Sequence, residues 1–144
     1  MLRMSVASQA VEIEDEFSFL DDWEERYAHI IDLGKANPPL KEAERTEQTR
    51  VRGCASQVWM VITPEAGDCL TIRAESDALI VSGLIALLVR LFSGATRSEI
   101  RAFDASAFLG KIGVTGALSA QRSNGLASML ERIKLAAASP ASAV

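Results

Sequence analysis

The sequence is poor in the side chains that metal sites and many catalytic sites require. Its 144 residues include a single histidine, His29, and two cysteines, Cys54 and Cys69. Structural zinc uses four cysteine or histidine ligands and an iron–sulfur cluster usually three or four thiolates, so we expect no metal and no other cofactor. No pattern directs His29 towards a cysteine as a catalytic base, and we expect it to be a partly exposed helical residue.

The sequence also lacks a basic excess and a long apolar run. The net charge of −4 argues against nucleic acid as a partner. The longest uncharged, mostly apolar run, residues 78–89, is too short to cross a bilayer and predicts a buried helix rather than a membrane anchor. The residues before Glu12 contain no apolar run of the kind that a secretory signal needs, so cytoplasmic localisation is expected.

The length fits one domain with its own core. Hydrophobic residues make up 49% and charged residues 24%, as in an ordinary globular protein. The predicted organisation is a flexible N-terminus over residues 1–8, a single domain over residues 9–138, and a low-complexity, disordered tail over residues 139–144.

Two helices are predicted before the first strand. A short one is expected around Ile13 and Phe17, and a second begins after a cap at Asp21 or Asp22. The second should bury a stripe that starts at Trp23 and should end at Gly34, ahead of a long polar connection over residues 35–48.

The middle of the chain predicts strands over residues 49–52, 57–63 and 69–74. Pairing Thr63 with Cys69 around a turn at 64–68 places Ala55 opposite Asp77. Cys54 would then lie roughly 30 Å from Cys69 along an extended strand, so both thiols are expected to be free.

The second half of the chain reads as helices. Asp77 should cap a nearly all-apolar helix over residues 78–92, in which Gly83 predicts close packing of a neighbour. Shorter helices are expected after Thr96 and Asp104, followed by a long one from Ser119. Helices, then strands, then helices predict an α+β fold with a small three-stranded antiparallel sheet covered by helices.

Cys54 has polar and basic neighbours rather than those of a core strand. Gly53 allows a tight turn, which predicts a loop at the mouth of a strand. Arg50, Arg52 and the N-terminus of the 78–92 helix would favour the thiolate, which is the nucleophilic form. The alternative is a small core residue, because cysteine is often buried.

Three further side chains are candidates for the surroundings of the thiol. Ser56 and Gln57 are polar groups able to hydrogen-bond the loop or a persulfide. Asp77 would oppose the thiolate by its like charge if it lies close, and its alternative role is that of a plain helix cap.

The segment Gly53-Cys54-x-Ser56-Gln57-Val58-Trp59 resembles the signature of the SufE-type sulfur-acceptor proteins. Other blocks resemble that family in order and approximate spacing, over roughly residues 10–135. These blocks are Asp22-Trp23-Glu24-Glu25-Arg26-Tyr27, Ile30-Ile31-Asp32-Leu33-Gly34, Ser76-Asp77-Ala78, Val81-x-Gly83-Leu84-Ile85-Ala86 and Arg122-Ser123-x-Gly125-Leu126.

The resemblance implies a SufE/IscU-like fold and an accessory sulfur-transfer protein without independent enzymatic activity. Cys54 would accept persulfide sulfur from a pyridoxal-phosphate-dependent, SufS-like cysteine desulfurase and stimulate that enzyme. The sulfur would then pass to a scaffold complex for iron–sulfur cluster assembly. Thiol exchange of this kind needs one accessible cysteine and no bound cofactor.

Two alternatives stay open at this point. By its chemistry alone Arg122 is a solvated side chain at the start of the last helix and Gly125 a packing site, whereas the resemblance suggests that Arg122 belongs to the partner surface or supports the cysteine loop. The whole chain also fits a redox-sensing regulatory module with a single exposed thiol, although no resolving cysteine is expected within reach.

Overall fold

The computed structural model describes residues 5–139. Helix α1 begins at Val6, where the Ser5 hydroxyl accepts the N–H of Ser8 at 3.1 Å. Residues 6–8, expected to be flexible, therefore form the first turn of a capped helix, and that part of the prediction is wrong. Residues 1–4 and 140–144, which carry the rest of the predicted flexible ends, lie outside the described residues.

The described elements follow the predicted order of helices, strands and helices. They are α1 (Val6–Ser18), α2 (Trp23–Ala36), a 3₁₀ turn (Glu42–Glu44), β1 (Val58–Glu65), β2 (Cys69–Ser76), α3 (Leu79–Phe92), β3 (Ala95–Thr96), α4 (Arg97–Ala102), α5 (Ala105–Lys111), a second 3₁₀ turn (Thr115–Ala117) and α6 (Ala120–Ala138). The α+β class and the three-stranded antiparallel sheet are confirmed.

The hairpin register differs from the prediction by two residues. β1 continues through Pro64 to Glu65, which pairs with Cys69, so the turn shrinks to residues 66–68. Gly67 and Asp68 both adopt positive φ there, at 78° and 61°, which makes the short turn possible. Because side chains alternate with a period of two, this slip leaves each face of the strands unchanged.

The third strand is β3, which pairs with β2 after α3, and not the predicted strand at 49–52. Residues 49–52 make one isolated bridge, between Arg50 and Trp59, and the N–H of Val51 donates to the carbonyl of Val58 at 2.8 Å. Residues 47–49 form a turn, so the pairing does not extend further along β1. Gly53 has a φ of 88° in the loop that joins this segment to β1.

Helices α2 and α3 cross at two glycines. A methyl group on Gly83 would overlap the carbonyl oxygen of Ile30, and one on Gly34 would overlap that of Leu79. The predicted close packing at Gly83 is therefore confirmed. Gly34 is buried inside α2 rather than ending it. The close contact with α3 leaves no room for a side chain at this position.

α3 is buried along most of its length and lies against the sheet and α2. The inward faces of β2 and α6 complete the core, as their apolar stripes predicted. Trp23 does not join the buried stripe of α2, since it is 57% exposed at the first position of that helix. No described helix is long and apolar enough to cross a membrane.

Candidate functional site

Cys54 lies in the loop over residues 51–57, between the Arg50–Trp59 bridge and the start of β1. The placement on a loop at the mouth of a strand agrees with the prediction. The preceding Gly53 has a φ of 88°, a conformation that glycine adopts far more readily than residues with a side chain. Its side chain is half-buried rather than fully exposed.

Helix α6 forms the wall against which the thiol rests. The Cys54 thiol donates to the carbonyl oxygen of Gly125 at 3.6 Å. A Cβ atom at Gly125 would lie 3.4 Å from Cys54 Sγ, and one at Gly53 would lie 2.5 Å from Ser128 Oγ. Gly53 therefore lets the loop approach the helix closely, whereas a Cβ at Gly125 would only make an ordinary contact with the thiol. Gly125 is buried against Cys54, in agreement with its predicted packing role.

A small cavity adjoins the thiol. The space open to the centre of a water-sized sphere is about 20 Å³, and its walls are mostly apolar. That volume holds about one small occupant. The lining residues are Cys54, Ala55, Ser56, Val81, Leu84, Gln121, Arg122, Gly125, Leu126 and Met129.

Burial, not charge, dominates the ionisation of Cys54. It raises the pKa of the thiol above its ordinary value, and the positive charge of Arg50 opposes that rise without overcoming it. The expected local preference for thiolate is therefore wrong for this conformation. The carbonyl acceptor at Gly125 also suits a protonated donor rather than an anion.

The other predicted charges have partners of their own. Arg52 pairs with Glu47 at 2.6 Å, and both side chains are about three-quarters exposed. Asp77 does not cap α3, which begins at Leu79. Its carboxylate accepts the N–H of Gln57 at 3.1 Å, because the true register places Asp77 opposite Gln57 instead of Ala55.

The polar candidates divide into two groups. Ser56 and Arg122 both line the cavity beside Cys54, which supports a role for Arg122 at the cysteine loop. Gln57 is exposed and ties the end of the loop to Asp77 through its main chain, with the Asp77 N–H donating to the Gln57 carbonyl at 3.3 Å. The site therefore combines a loop anchored near β2 with a wall from α6.

Sequence reasoning missed two residues of that wall, Ser128 and Arg132. Arg132 donates through Nη1 to the carbonyl of Arg50 at 2.9 Å and through Nη2 to that of Gln48. The three positions 125, 128 and 132 share one face of α6 by helical spacing. That spacing can be read from the sequence, but it indicates residues of the site only once Gly125 is known to contact the cysteine loop.

The remaining reactive side chains lie elsewhere. Cys69 is a free thiol at the turn end of the hairpin, where its Sγ contacts the Gly67 carbonyl. His29 is partly exposed, as predicted, and contacts Glu16 Oε1 at 3.2 Å. Within residues 5–139 no three histidine, cysteine or acidic side chains form a group that could hold a metal ion.

The fold and the site together describe an α+β domain with a half-buried thiol held between a strand-entry loop and a helix. The family model SufE, described as an Fe-S metabolism associated domain, matches residues 11–137. The chain therefore belongs to the SufE family, which has its role in iron–sulfur metabolism. Membership implies interaction with a cysteine desulfurase in that metabolism.

Individual relatives agree with this assignment. An uncharacterized SufE-like protein of Rhizobium meliloti is 51% identical over 127 residues, which cover 85% of this chain and 90% of the relative. One from Rhizobium etli is 50% identical over 127 residues, covering 85% of each. The solution structure of a hypothetical protein from Thermus thermophilus shares the fold, with a TM-score of 0.73 at 18% identity over 90% of this chain and 93% of that one.

Proposed function

We propose that this chain accepts sulfane sulfur on Cys54 from a pyridoxal-phosphate-dependent cysteine desulfurase and carries it to a scaffold for iron–sulfur cluster assembly. The observation that carries the proposal is the position of the Cys54 thiol beside an apolar cavity with room for about one more small occupant. A cluster scaffold would need several thiolates, whereas a carrier needs one. The proposed setting is the cytoplasm, where thiols stay reduced.

The transfer is a displacement at sulfur. The Cys54 thiolate attacks the outer sulfur of the donor's persulfide, a new S–S bond forms to Cys54, and the S–S bond in the donor breaks. The donor cysteine leaves as a thiolate, and the sulfane sulfur keeps its proton, so atoms and charge balance. No external oxidant or reductant is required, because one S–S bond replaces another.

The resting thiol is poorly prepared for this attack, because burial raises the pKa of Cys54. Transfer of the side chain from its half-buried position to the donor's site would remove that desolvation and release the proton more easily. The free chain thus keeps a thiol that ionises less readily, and movement out of the half-buried position would make it a better nucleophile. This arrangement limits exchange with other thiols in the cell.

The same cavity suits the product of the transfer. The transfer adds one sulfur atom to Sγ, which matches the size of the cavity. The apolar walls from Val81, Leu84 and Leu126 would shield that atom from water and competing nucleophiles. A terminal sulfur is polarizable and tolerates apolar surroundings. A carrier benefits because the sulfur survives until it meets its recipient.

The alternative of a redox sensor is less well supported. Sensor cysteines are accessible and of low pKa, whereas Cys54 is half-buried with a raised pKa. Cys69 begins β2 and pairs with Glu65, the last residue of β1, which lies roughly 23 Å along that strand from Val58. A disulfide requires Cα atoms within about 7 Å. Cys69 is thus not suited to resolve an oxidised Cys54.

The test is desulfurase turnover, measured as alanine formed from cysteine, with and without this chain. Wild type and Cys69→Ser should stimulate turnover, because both keep the acceptor thiol. Cys54→Ser should fold and give no stimulation. Stimulation that survives in Cys54→Ser, or that is lost in Cys69→Ser, would overturn the assignment of Cys54.

A further inference from the structure

We infer that Arg132 is a positioning residue for sulfur transfer, one that fixes the base of the cysteine loop to α6 and so sets how often Cys54 leaves its cavity. The inference rests on the proposed function and adds a control element to it. Arg132 is distant in sequence from the Gly53–Trp59 motif, and the motif itself gives no reason to connect the two.

The connection is a double hydrogen bond from one guanidinium. Nη1 of Arg132 donates to the carbonyl of Arg50 at 2.9 Å, and Nη2 donates to the carbonyl of Gln48. Residues 47–49 form a turn, in which the Arg50 N–H donates to the Thr46 carbonyl at 3.0 Å, and this turn brings both carbonyls within reach of one guanidinium. The planar fork of arginine matches such a pair, and its charge makes both bonds stronger than neutral ones.

We call the two hydrogen bonds from Arg132 to the carbonyls of Arg50 and Gln48 the Arg132 clamp. The clamp lies on the same stripe of α6 that holds the thiol. One turn before Arg132, Ser128 lies beneath Gly53, and the turn before that presents the Gly125 carbonyl to Cys54. Arg132 is the member of this stripe that binds the segment before the loop. The far end of the loop is held separately, by Asp77 on the Gln57 N–H at 3.1 Å.

This arrangement predicts what loss of the clamp does. With residues 48–50 released from α6, the loop still bonds to β1 and Asp77, but near Cys54 its contact with α6 is reduced to the weak thiol bond to Gly125 and the packing of the cavity. The loop should open more often, so the thiol should react faster with a small alkylating reagent. A persulfide on Cys54 should also react sooner with thiols in solution, because the cavity that covers it opens more often.

The experiment compares Arg132→Met with Lys134→Met. Both changes remove one positive charge from α6 and delete a side chain that donates to main-chain carbonyls. Lys134, however, binds the carbonyls of Ile100, Arg101 and Phe103 at the end of α4, not those of the cysteine loop. The readout is the rate of iodoacetamide modification of Cys54, measured by mass spectrometry against Cys69 in the same molecule.

Arg132→Met should raise the ratio of Cys54 to Cys69 modification about fivefold, which corresponds to about 1 kcal/mol in the opening equilibrium. Lys134→Met should leave the ratio within about twofold of wild type, even if both variants melt at lower temperature. Arg132→Lys, which keeps the charge but not the fork, should fall between them. If Arg132→Met changes the ratio no more than Lys134→Met does, the inference is wrong and Arg132 serves stability alone.

Alkylation needs no desulfurase, so it tests the clamp separately from the proposed function. A second measurement tests the clamp and the proposed function together. It follows the lifetime of a persulfide loaded on Cys54 in the presence of free cysteine. The lifetime should shorten several-fold in Arg132→Met and stay unchanged in Lys134→Met. If wild type never acquires a persulfide, the proposed function fails, while the alkylation result still decides the role of Arg132.

Discussion

The thiol of Cys54 and the main-chain carbonyl of Gly125 are hydrogen-bonded at 3.6 Å, although 71 residues separate them in the chain. The loop can approach α6 this closely because Gly53 has no side chain, since a Cβ there would lie 2.5 Å from Ser128 Oγ. The contact places the half-buried thiol beside a small, mostly apolar cavity. Under the proposed function, sulfur transfer would require Cys54 to leave this position.

Adding a methyl group at Gly125 should separate folding from sulfur storage. Alanine favours the helix by roughly 0.5–1 kcal/mol over glycine, so Gly125→Ala should remain folded. Its Cβ would lie 3.4 Å from Cys54 Sγ and occupy space beside the thiol. We expect a several-fold shorter persulfide lifetime with a melting temperature close to that of wild type.

The matched control is Asn124→Ala, an exposed neighbour on the same helix. It should change neither quantity. A persulfide as long-lived in Gly125→Ala as in wild type would mean that the cavity is not where the sulfur resides.

The pH dependence of Cys54 follows from its raised pKa. The midpoint of its alkylation profile should lie at higher pH in the folded protein than in urea-unfolded chain, because burial raises the pKa of the thiol. The folded state then binds the thiol proton more tightly than the unfolded state. The resulting stabilisation is present below the unfolded pKa and is lost as the pH rises through the folded one. Wild type should accordingly lose stability relative to Cys54→Ser in that alkaline range.

Arginine substitutions test the opposing charge. Arg50 lowers the pKa of Cys54 against burial, so Arg50→Gln should slow alkylation at neutral pH, whereas Arg50→Lys should largely preserve it. Arg52→Gln should have little effect, because Arg52 is exposed and paired with Glu47. Measurements at low salt are needed, since screening acts over about 10 Å at 0.1 M. Equal rates in all three variants would mean that charge does not control the thiol.

Asp77 should act as an anchor for the end of the loop. Its carboxylate accepts the Gln57 N–H at 3.1 Å, and asparagine can supply a carbonyl oxygen in the same place. Asp77→Asn should thus resemble wild type in Cys54 alkylation, while Asp77→Ala should increase it by opening the loop. Faster alkylation in Asp77→Asn than in wild type would instead support direct repulsion between Asp77 and the thiolate.

The helix crossing predicts a stability effect away from the site. In Gly83→Ala the new methyl group would overlap the carbonyl oxygen of Ile30, so α2 and α3 must move apart. We expect a loss of about 2 kcal/mol, or roughly 6 °C in Tm. Gly110→Ala, whose Cβ meets only Thr115 Oγ1 at 3.5 Å, should be neutral or stabilising. Calorimetry showing equal Tm values for both variants would contradict the close crossing.

Much of the fold could be predicted from local patterns. The apolar stripe of α6 and the caps at Asp22 and Thr96 follow from residue chemistry over a few positions, and the structure confirms them. The register was wrong because Asp68 adopts a positive φ that glycine or asparagine more commonly takes, which lengthened β1 beyond Pro64. Local sequence does not determine such a turn.

The site was predictable only in part for a different reason. Cys54 and Gly53 are marked by their neighbours in the chain, but burial of the thiol depends on α6, more than 60 residues later. Charges adjacent in sequence suggested a lowered pKa, whereas desolvation by a distant helix raises it. The Arg132 clamp likewise joins two segments that no local motif connects.

The central claim is that Cys54 receives sulfur from a cysteine desulfurase. The most direct test is the intact mass of this chain after incubation with a desulfurase and cysteine, followed by digestion to locate the adduct. We expect a gain of one sulfur atom on Cys54, reversed by a reducing thiol and absent in Cys54→Ser. An unmodified Cys54 beside an active desulfurase, or sulfur found on Cys69 instead, would contradict it.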